Sequence, residues 1–270
     1  LKITGQREDG YHTIETIFQE ISLSDEIILE KTSEGTDLIC SNPFLSSSNE
    51  NLCLKAVEAM RQTFSFMGNV SIRLKKRIPI GAGLGGGSTD AAAVLVGLDR
   101  LFDLNIGADG LKECALLIGA DVPFFLQGNC QFATGIGEKL VPAILPKIGG
   151  ILLICPSKSV STAWAYKNIN KKNELPHGRD ASNLSDLINS KSSWNSLGML
   201  FENDFESLVF QTYPEIGDLK KRLIEAGAQY ASLSGSGSTV FGIFEDPFMA
   251  KQAMQQFSSF QTFVVFPLSN

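Results

Sequence analysis

Long apolar runs are missing from this 270-residue chain. None approaches the roughly 20 residues that a membrane-spanning helix requires, and one of the strongest, Ile151-Leu152-Leu153-Ile154-Cys155, is strand-sized. Histidine is scarce: His12 and His177 are the only two, which excludes a multi-histidine metal site. Five cysteines, an odd number without C-x-x-C spacing, argue against a disulfide framework or a zinc site. They point to a reducing cytosol, so a bacterial-type cytoplasmic location is expected; a plastid would need a transit peptide now removed. No G-x-S-x-G elbow occurs, so the commonest serine-hydrolase signature is absent. Basic charge is also in deficit, 23 Lys and Arg against 29 Asp and Glu, and no basic run exceeds Lys75-Lys76-Arg77. A duplex-nucleic-acid partner is therefore not expected, nor a membrane one. A small anionic ligand is still allowed, since it needs only local positive potential.

What is present is ordinary globular composition, 43% apolar and 19% charged residues. Strands are expected at Leu1–Thr4, Thr13–Phe18 and Asp25–Glu30, with a turn at Asp9-Gly10. Asn51 is placed to cap a helix carrying Leu52, Ala56, Met60 and Phe64 on one face. Val70, Ile72 and Leu74 alternate with polar residues, the pattern of a half-buried strand. Helices follow over Ala91–Phe102 and Ala108–Ile118, the second ended by Gly119 as a left-handed cap, then a strand at Phe124–Gln127. Gly135-Ile136-Gly137 turns between strands at Gln131–Thr134 and Glu138–Val141.

Prolines and a Gly-Gly pair at Pro142–Gly150 suggest a boundary between domains 1–149 and 150–270. Beyond it the expected order is β-α-α-α-β-α-β: Ile151–Cys155, helices near Thr162–Ile169, Leu197–Phe210 and Glu215–Ala226, a strand at Thr239–Phe244, a helix opening at Pro247 and a strand at Thr262–Pro267. A polar loop is expected at Asn170–Ser182. This order fits an α+β sandwich.

The segment Pro79-Ile80-Gly81-Ala82-Gly83-Leu84-Gly85-Gly86-Gly87-Ser88-Thr89 carries the chemistry. A strand, a glycine loop and a helix start occur in series, which offers backbone N–H groups and the positive end of a helix dipole to an anion. Glycines let the main chain approach phosphate oxygens, and Ser88 and Thr89 can cap the helix and donate a hydroxyl to phosphate or Mg²⁺. A plain capping turn would not need five glycines in seven positions, each of which costs backbone entropy. Gly81-x-Gly83-x-x-Gly86 matches the dinucleotide fingerprint in form, but the preceding strand alternates and no acidic strand end follows about 20 residues on. The Walker A spacing nearly fits, yet Gly87 stands where that motif needs lysine.

The stretch Pro79 to Ala93 resembles the ATP loop of the GHMP kinases. Gly5–His12, Ile118–Phe125, Leu200–Glu206 and Ser234–Phe241 are similar to further segments of that family, in the family's order. The Asp9-Gly10-Tyr11-His12 and Gly119-Ala120-Asp121-Val122-Pro123-Phe124-Phe125 segments look most like the branch whose acceptor is a cytidine-diphosphate-linked methylerythritol. The resemblance implies a two-domain fold, with an N-terminal domain like domain 2 of ribosomal protein S5 and a ferredoxin-like C-terminal domain. It implies ATP and Mg²⁺, with no metal ligand assigned, and transfer of the γ-phosphoryl group to a small-molecule alcohol.

By that resemblance Asp121 is the general base, Tyr11 and His12 recognise the nucleobase, and Tyr166 closes on it, with Trp164 as the alternative ring. Read without the family, Asp121 is a turn aspartate, His12 a turn histidine and Ser234–Ser238 a strand-entry turn. Asn203-Asp204 supports the site from its helix or is structural. The family also uses a lysine in a strand before the Asp9–His12 segment, and Lys2 falls too late for it. Since Leu1–Thr4 reads like the end of a strand, further N-terminal residues are expected ahead of Leu1. Other acceptors, homoserine or a mevalonate derivative, and a catalytically silent nucleotide binder are the competing readings. The kinase reading requires the amides of residues 81–89 to point the last phosphate toward Asp121, with an open channel joining that carboxylate to the loop.

Overall fold

The computed structural model describes residues 1–46, 50–169, 193–194 and 201–268. They form two compact units. One comprises residues 1–22, 81–84 and 129–270, the other 23–80 and 85–128. Both are discontinuous in sequence. The Pro142–Gly150 stretch ends where β8 (Gly150–Cys155) begins.

The first unit contains two antiparallel four-stranded sheets. In one, β1 (Lys2–Gln6), β2 (His12–Gln19), β6 (Cys130–Thr134) and β7 (Lys139–Pro142) lie side by side in that order. The other has the order β11-β8-β10-β9, with β9 at Tyr230–Leu233, β10 at Val240–Phe244 and β11 at Gln261–Val265. Helices α6 (Thr162–Ile169), α7 (Phe205–Thr212) and α8 (Pro214–Glu225) fall between β8 and β9, and α9 (Pro247–Met254) between β10 and β11. That connectivity and strand order are ferredoxin-like. Every residue of β8 is buried, which explains its unbroken apolar run: it is central, and Leu152 and Ile154 face a core shared with Phe205, Leu219, Phe244 and Phe257.

In the second unit β5 (Val70–Lys75) pairs antiparallel with β3 (Glu26–Lys31) and parallel with β4 (Asp37–Cys40). Val70, Ile72 and Leu74 point into a core with Met60, Val94, Leu95 and Leu98. That core is covered by α2 (Leu52–Phe64), α3 (Gly86–Leu101), α4 (Gly107–Ile118) and α5 (Val122–Gln127), following the short α1 (Pro43–Ser46). Asn51 caps α2 as expected, its side-chain oxygen accepting from the Cys53 N–H at 2.9 Å. Such a cap contributes about 1 kcal/mol.

Three expectations are corrected. Phe124–Gln127 is helix, not strand, because Pro123 fits the first turn of α5 and its fixed φ favours helix there. Gly119 is extended (φ −177°, ψ 154°), not left-handed; its N–H still closes the last turn of α4 on Ala115 before the chain turns into α5. The helix expected over Leu197–Phe210 begins, among the described residues, at Phe205. Strands β4 and β9 were not anticipated. The loop expected at Asn170–Ser182 lies outside the described residues.

Candidate active site

In the second unit the start of α3 is built for an anion. Gly85, not Ser88 or Thr89, holds the N-cap position, in the left-handed region (φ 65°), and its carbonyl accepts from the Thr89 N–H at 2.9 Å; the two hydroxyl residues lie inside the first turn. A glycine has no side chain with which to cap the amides that follow, so those donors are left for another acceptor. A Cβ on Gly85 would stand 2.6 Å from the Phe125 ring, and one on Gly86 would stand 2.9 Å from Ile78. The glycines therefore reflect close packing as well as backbone freedom.

Asp121 sits at the junction between α4 and α5. The Ser88 hydroxyl, in the first turn of α3, lies 2.9 Å from both Asp121 carboxylate oxygens. One proton shared between two oxygens fixes the carboxylate plane while leaving its remaining lone pairs to accept. Burial pushes the Asp121 carboxyl above its ordinary pKa, against the Ser88 hydrogen bond, which acts in the other direction. A carboxylate so placed is a stronger proton acceptor than a solvated one. Asp121 therefore stands beside the first turn of α3.

A second group in this unit was missed by sequence reading. The Lys76 ammonium reaches Asp25 at 2.5 Å and Asp90, in α3, at 2.7 Å, and all three side chains are buried. Asp25 also accepts from the Ile78 backbone N–H at 2.9 Å. The available signal was strand parity: Val70, Ile72 and Leu74 point inward, and Lys76 is next in the same register.

In the first unit the other end of the glycine loop, Gly81–Leu84, is fastened by its carbonyls. Ser159 donates to Gly81 at 3.3 Å, Ser234 to Gly83 at 2.7 Å, and the Thr239 N–H to Ala82 at 3.1 Å. Gly81 (φ 63°) and Gly83 (φ 75°) are both left-handed. The Ser234–Ser238 loop is therefore a clamp on the first glycine loop. Asn203, buried, holds the clamp in turn, donating to Leu233 at 2.9 Å and Gly235 at 2.8 Å. Asp204 accepts from the Ile3 N–H at 2.7 Å. Asn203→Ala should lower stability by about 1–2 kcal/mol, since it removes two hydrogen bonds that hold the clamp, one of them buried; urea melts check this.

The candidate nucleobase residues also lie in the first unit. The His12 and Tyr166 rings stack with centroids 5.1 Å apart at 27°, and Tyr166 meets Phe205 edge-on at 4.9 Å. Tyr11 is 60% exposed. Trp164 instead packs 6.1 Å from Tyr213. Of the two aromatic candidates on α6, Tyr166 is therefore the one beside His12.

Family models for the GHMP kinases match twice: the N-terminal domain over residues 51–129 and the C-terminal domain over residues 179–261. The chain belongs to the GHMP kinase family. Its similarity to one branch is extensive. It is 41% identical over 262 residues to 4-diphosphocytidyl-2-C-methyl-D-erythritol kinase of Prosthecochloris aestuarii, covering 96% of this chain and 90% of the relative. It is 39% identical over 248 residues to the enzyme of the same name from Acetivibrio thermocellus, covering 91% of this chain and 86% of the relative. Among solved structures, a 4-(cytidine 5'-diphospho)-2C-methyl-D-erythritol kinase superposes with a TM-score of 0.80 at 31% identity, covering 100% of this chain and 95% of that one. Homoserine kinase from Cytophaga hutchinsonii, with a TM-score of 0.72 at 20% identity over 95% of this chain and 94% of that one, shares the fold. In this GHMP kinase no described helix is long and apolar enough to cross a membrane. No described group of three or more His, Cys, Asp or Glu residues could hold a metal ion by itself.

Proposed function

We propose that this chain transfers the γ-phosphoryl group of ATP to the 2-hydroxyl of 4-diphosphocytidyl-2-C-methyl-D-erythritol, in the non-mevalonate route to isoprenoid precursors. The Ser88–Asp121 contact at the uncapped start of α3 carries this reading, because it sets a proton acceptor beside an anion-binding helix end. The extensive similarity to kinases named for the cytidyl acceptor supports the choice of substrate.

Residues 79–89 hold the ATP phosphates through backbone N–H groups, with the hydroxyls of Ser88 and Thr89 as additional donors. Asp121 accepts the proton as the acceptor oxygen bonds to the γ-phosphorus and the bond from that phosphorus to the β-phosphate oxygen breaks. Mg²⁺ favours oxygen ligands and would share its coordination with phosphates and waters, with the Ser88 hydroxyl as a protein oxygen able to join them. Bound there, it neutralises phosphate charge. Tyr11, His12 and Tyr166 hold the cytosine: aromatic faces stack on the ring and the imidazole meets its polar edge.

Tyr11→Ala should raise KM for the cytidyl substrate by roughly 10-fold, the lower part of the range for a lost base–aromatic stack, and leave KM for ATP unchanged. Steady-state kinetics with each substrate varied in turn check this; a rise confined to ATP would reverse the assignment. The acceptor itself is tested by coupled ADP release with the cytidyl-linked methylerythritol beside homoserine and mevalonate phosphates. Turnover with the cytidyl compound alone is the expected result. Preference for another acceptor, or ADP release with none, would overturn it.

A further inference from the structure

The buried Asp25–Lys76–Asp90 cluster has no part in the chemistry described above. Its formal charges are −1, +1 and −1. Buried ions are costly to desolvate, and replacing such a cluster by apolar residues often stabilises a fold. Stability alone is therefore a poor reason for its presence, and its location suggests a better one.

Asp90 lies in α3, two residues after Ser88, so the cluster grips the turn whose hydroxyl holds Asp121. Asp25 precedes β3 and receives two backbone N–H groups, from Arg77 and Ile78, which tie it to the segment leading into the glycine loop. The Lys76 ammonium would lie 3.3 Å from a Cβ on Gly86, and so directly against the first residue of α3. We propose that Asp25, Lys76 and Asp90 form a positioning strut that fixes the first turn of α3, and through Ser88 the Asp121 carboxylate, for phosphate binding and transfer.

The lysine of the strut keeps its charge. Burial alone would pull the Lys76 ammonium down, but its hydrogen bonds to Asp25 and Asp90 outweigh that and leave it raised, so it stays charged. Burial pushes the Asp90 carboxyl up to about 7, even though Lys76 draws it the other way. Lys76 is not itself free for phosphate, because two carboxylates already occupy its ammonium. It gives the loop what its missing internal lysine cannot: not a charge on the ligand, but a fixed helix end.

The strut rests on the phosphate reading of the loop, and Asp90 separates the two. Asp90→Ala leaves the neutral Asp25–Lys76 pair and no unpartnered buried charge, so the protein should fold. Asp90→Asn keeps one acceptor for Lys76. Titration of a fluorescent ATP analogue, without any acceptor, should show affinity weakened roughly tenfold in Asp90→Ala and mostly restored in Asp90→Asn. With both substrates, kcat should fall about 30-fold in Asp90→Ala while KM for the cytidyl substrate stays within about twofold. A purely structural role would instead lower Tm and move both substrates' constants together. Unchanged nucleotide affinity and kcat in folded Asp90→Ala overturn the strut; should Asp90→Ala not fold, unchanged values in Asp90→Leu, which fills the same space but offers Lys76 no acceptor, do so. Because the nucleotide titration needs no acceptor, it judges the strut even where the parent protein transfers to none, a result that would refute the proposed function alone.

Discussion

Asp121→Asn is expected to bind ATP as the parent does, to lose turnover by roughly 10²–10⁴-fold, and to melt at a higher temperature at neutral pH. The amide keeps the shape of the carboxylate and can still accept from Ser88, so the geometry at the start of α3 is retained. What is lost is the proton acceptor. The gain in stability follows from the sign of the shift. Burial holds the Asp121 pKa above its unfolded value, so the folded state binds the proton more tightly than the unfolded one. Stability contributed by this group is then fully present below the unfolded pKa and declines as pH rises through the folded one, where the buried charge appears. Asparagine has no such charge to bury. In the parent, kcat/KM should fall with unit slope on acidification, with its midpoint above the ordinary aspartate value of about 3.9, since the base must be ionised to act. Calorimetry and a pH–rate profile measure both halves. Near-parental turnover would remove Asp121 from the role of base, and a lower melting temperature would contradict the buried-carboxylate account.

Much of this was legible because it is local. The alternation of Val70, Ile72 and Leu74 and the stripe from Leu52 to Phe64 are periodic signals, and β5 and α2 lie where they put them; α3 begins at Gly86, five residues before the expected Ala91, because the last glycines of the loop already wind into its first turn. Phe124–Gln127 is helix where a strand was expected, because so short a run carries too little periodicity to separate the two and Pro123 favours the first turn of α5. Strand β4 has only four residues and packs parallel to β5, a pairing its own sequence does not encode. The Lys76 cluster was hidden for a different reason. Its partners are 51 and 14 residues away, and in sequence Lys76 looks like the middle of a basic run, whose flanking members Lys75 and Arg77 are indeed exposed. At the site, residue type and family likeness named Asp121 and Ser88, but only three-dimensional placement joined them.

Gly83→Ala should be the most damaging single methyl group that can be added to the glycine loop. Alanine in the left-handed region that Gly83 occupies (φ 75°) costs about 1–2 kcal/mol by itself. The new Cβ would also stand 2.2 Å from the Ser234 carbonyl oxygen and 2.8 Å from that of Gly237. Both are main-chain atoms, and they cannot move aside cheaply: the Ser234 hydroxyl bonds the Gly83 carbonyl, while Asn203 holds the flanking Leu233 and Gly235 carbonyls. Overpacking of this kind adds about 1–3 kcal/mol, for a combined loss of roughly 2–5 kcal/mol. Relief must come from displacing the loop itself, so KM for ATP should rise at least about tenfold, as misplaced amides no longer converge on the phosphates. Gly35 supplies the control. It too is left-handed (φ 104°), but a Cβ there meets nothing within 4 Å. Gly35→Ala should cost about 1–2 kcal/mol in a denaturant melt and leave ATP kinetics untouched. If the two variants lost equal stability and bound ATP equally well, the clamp between the glycine loops would have no energetic consequence.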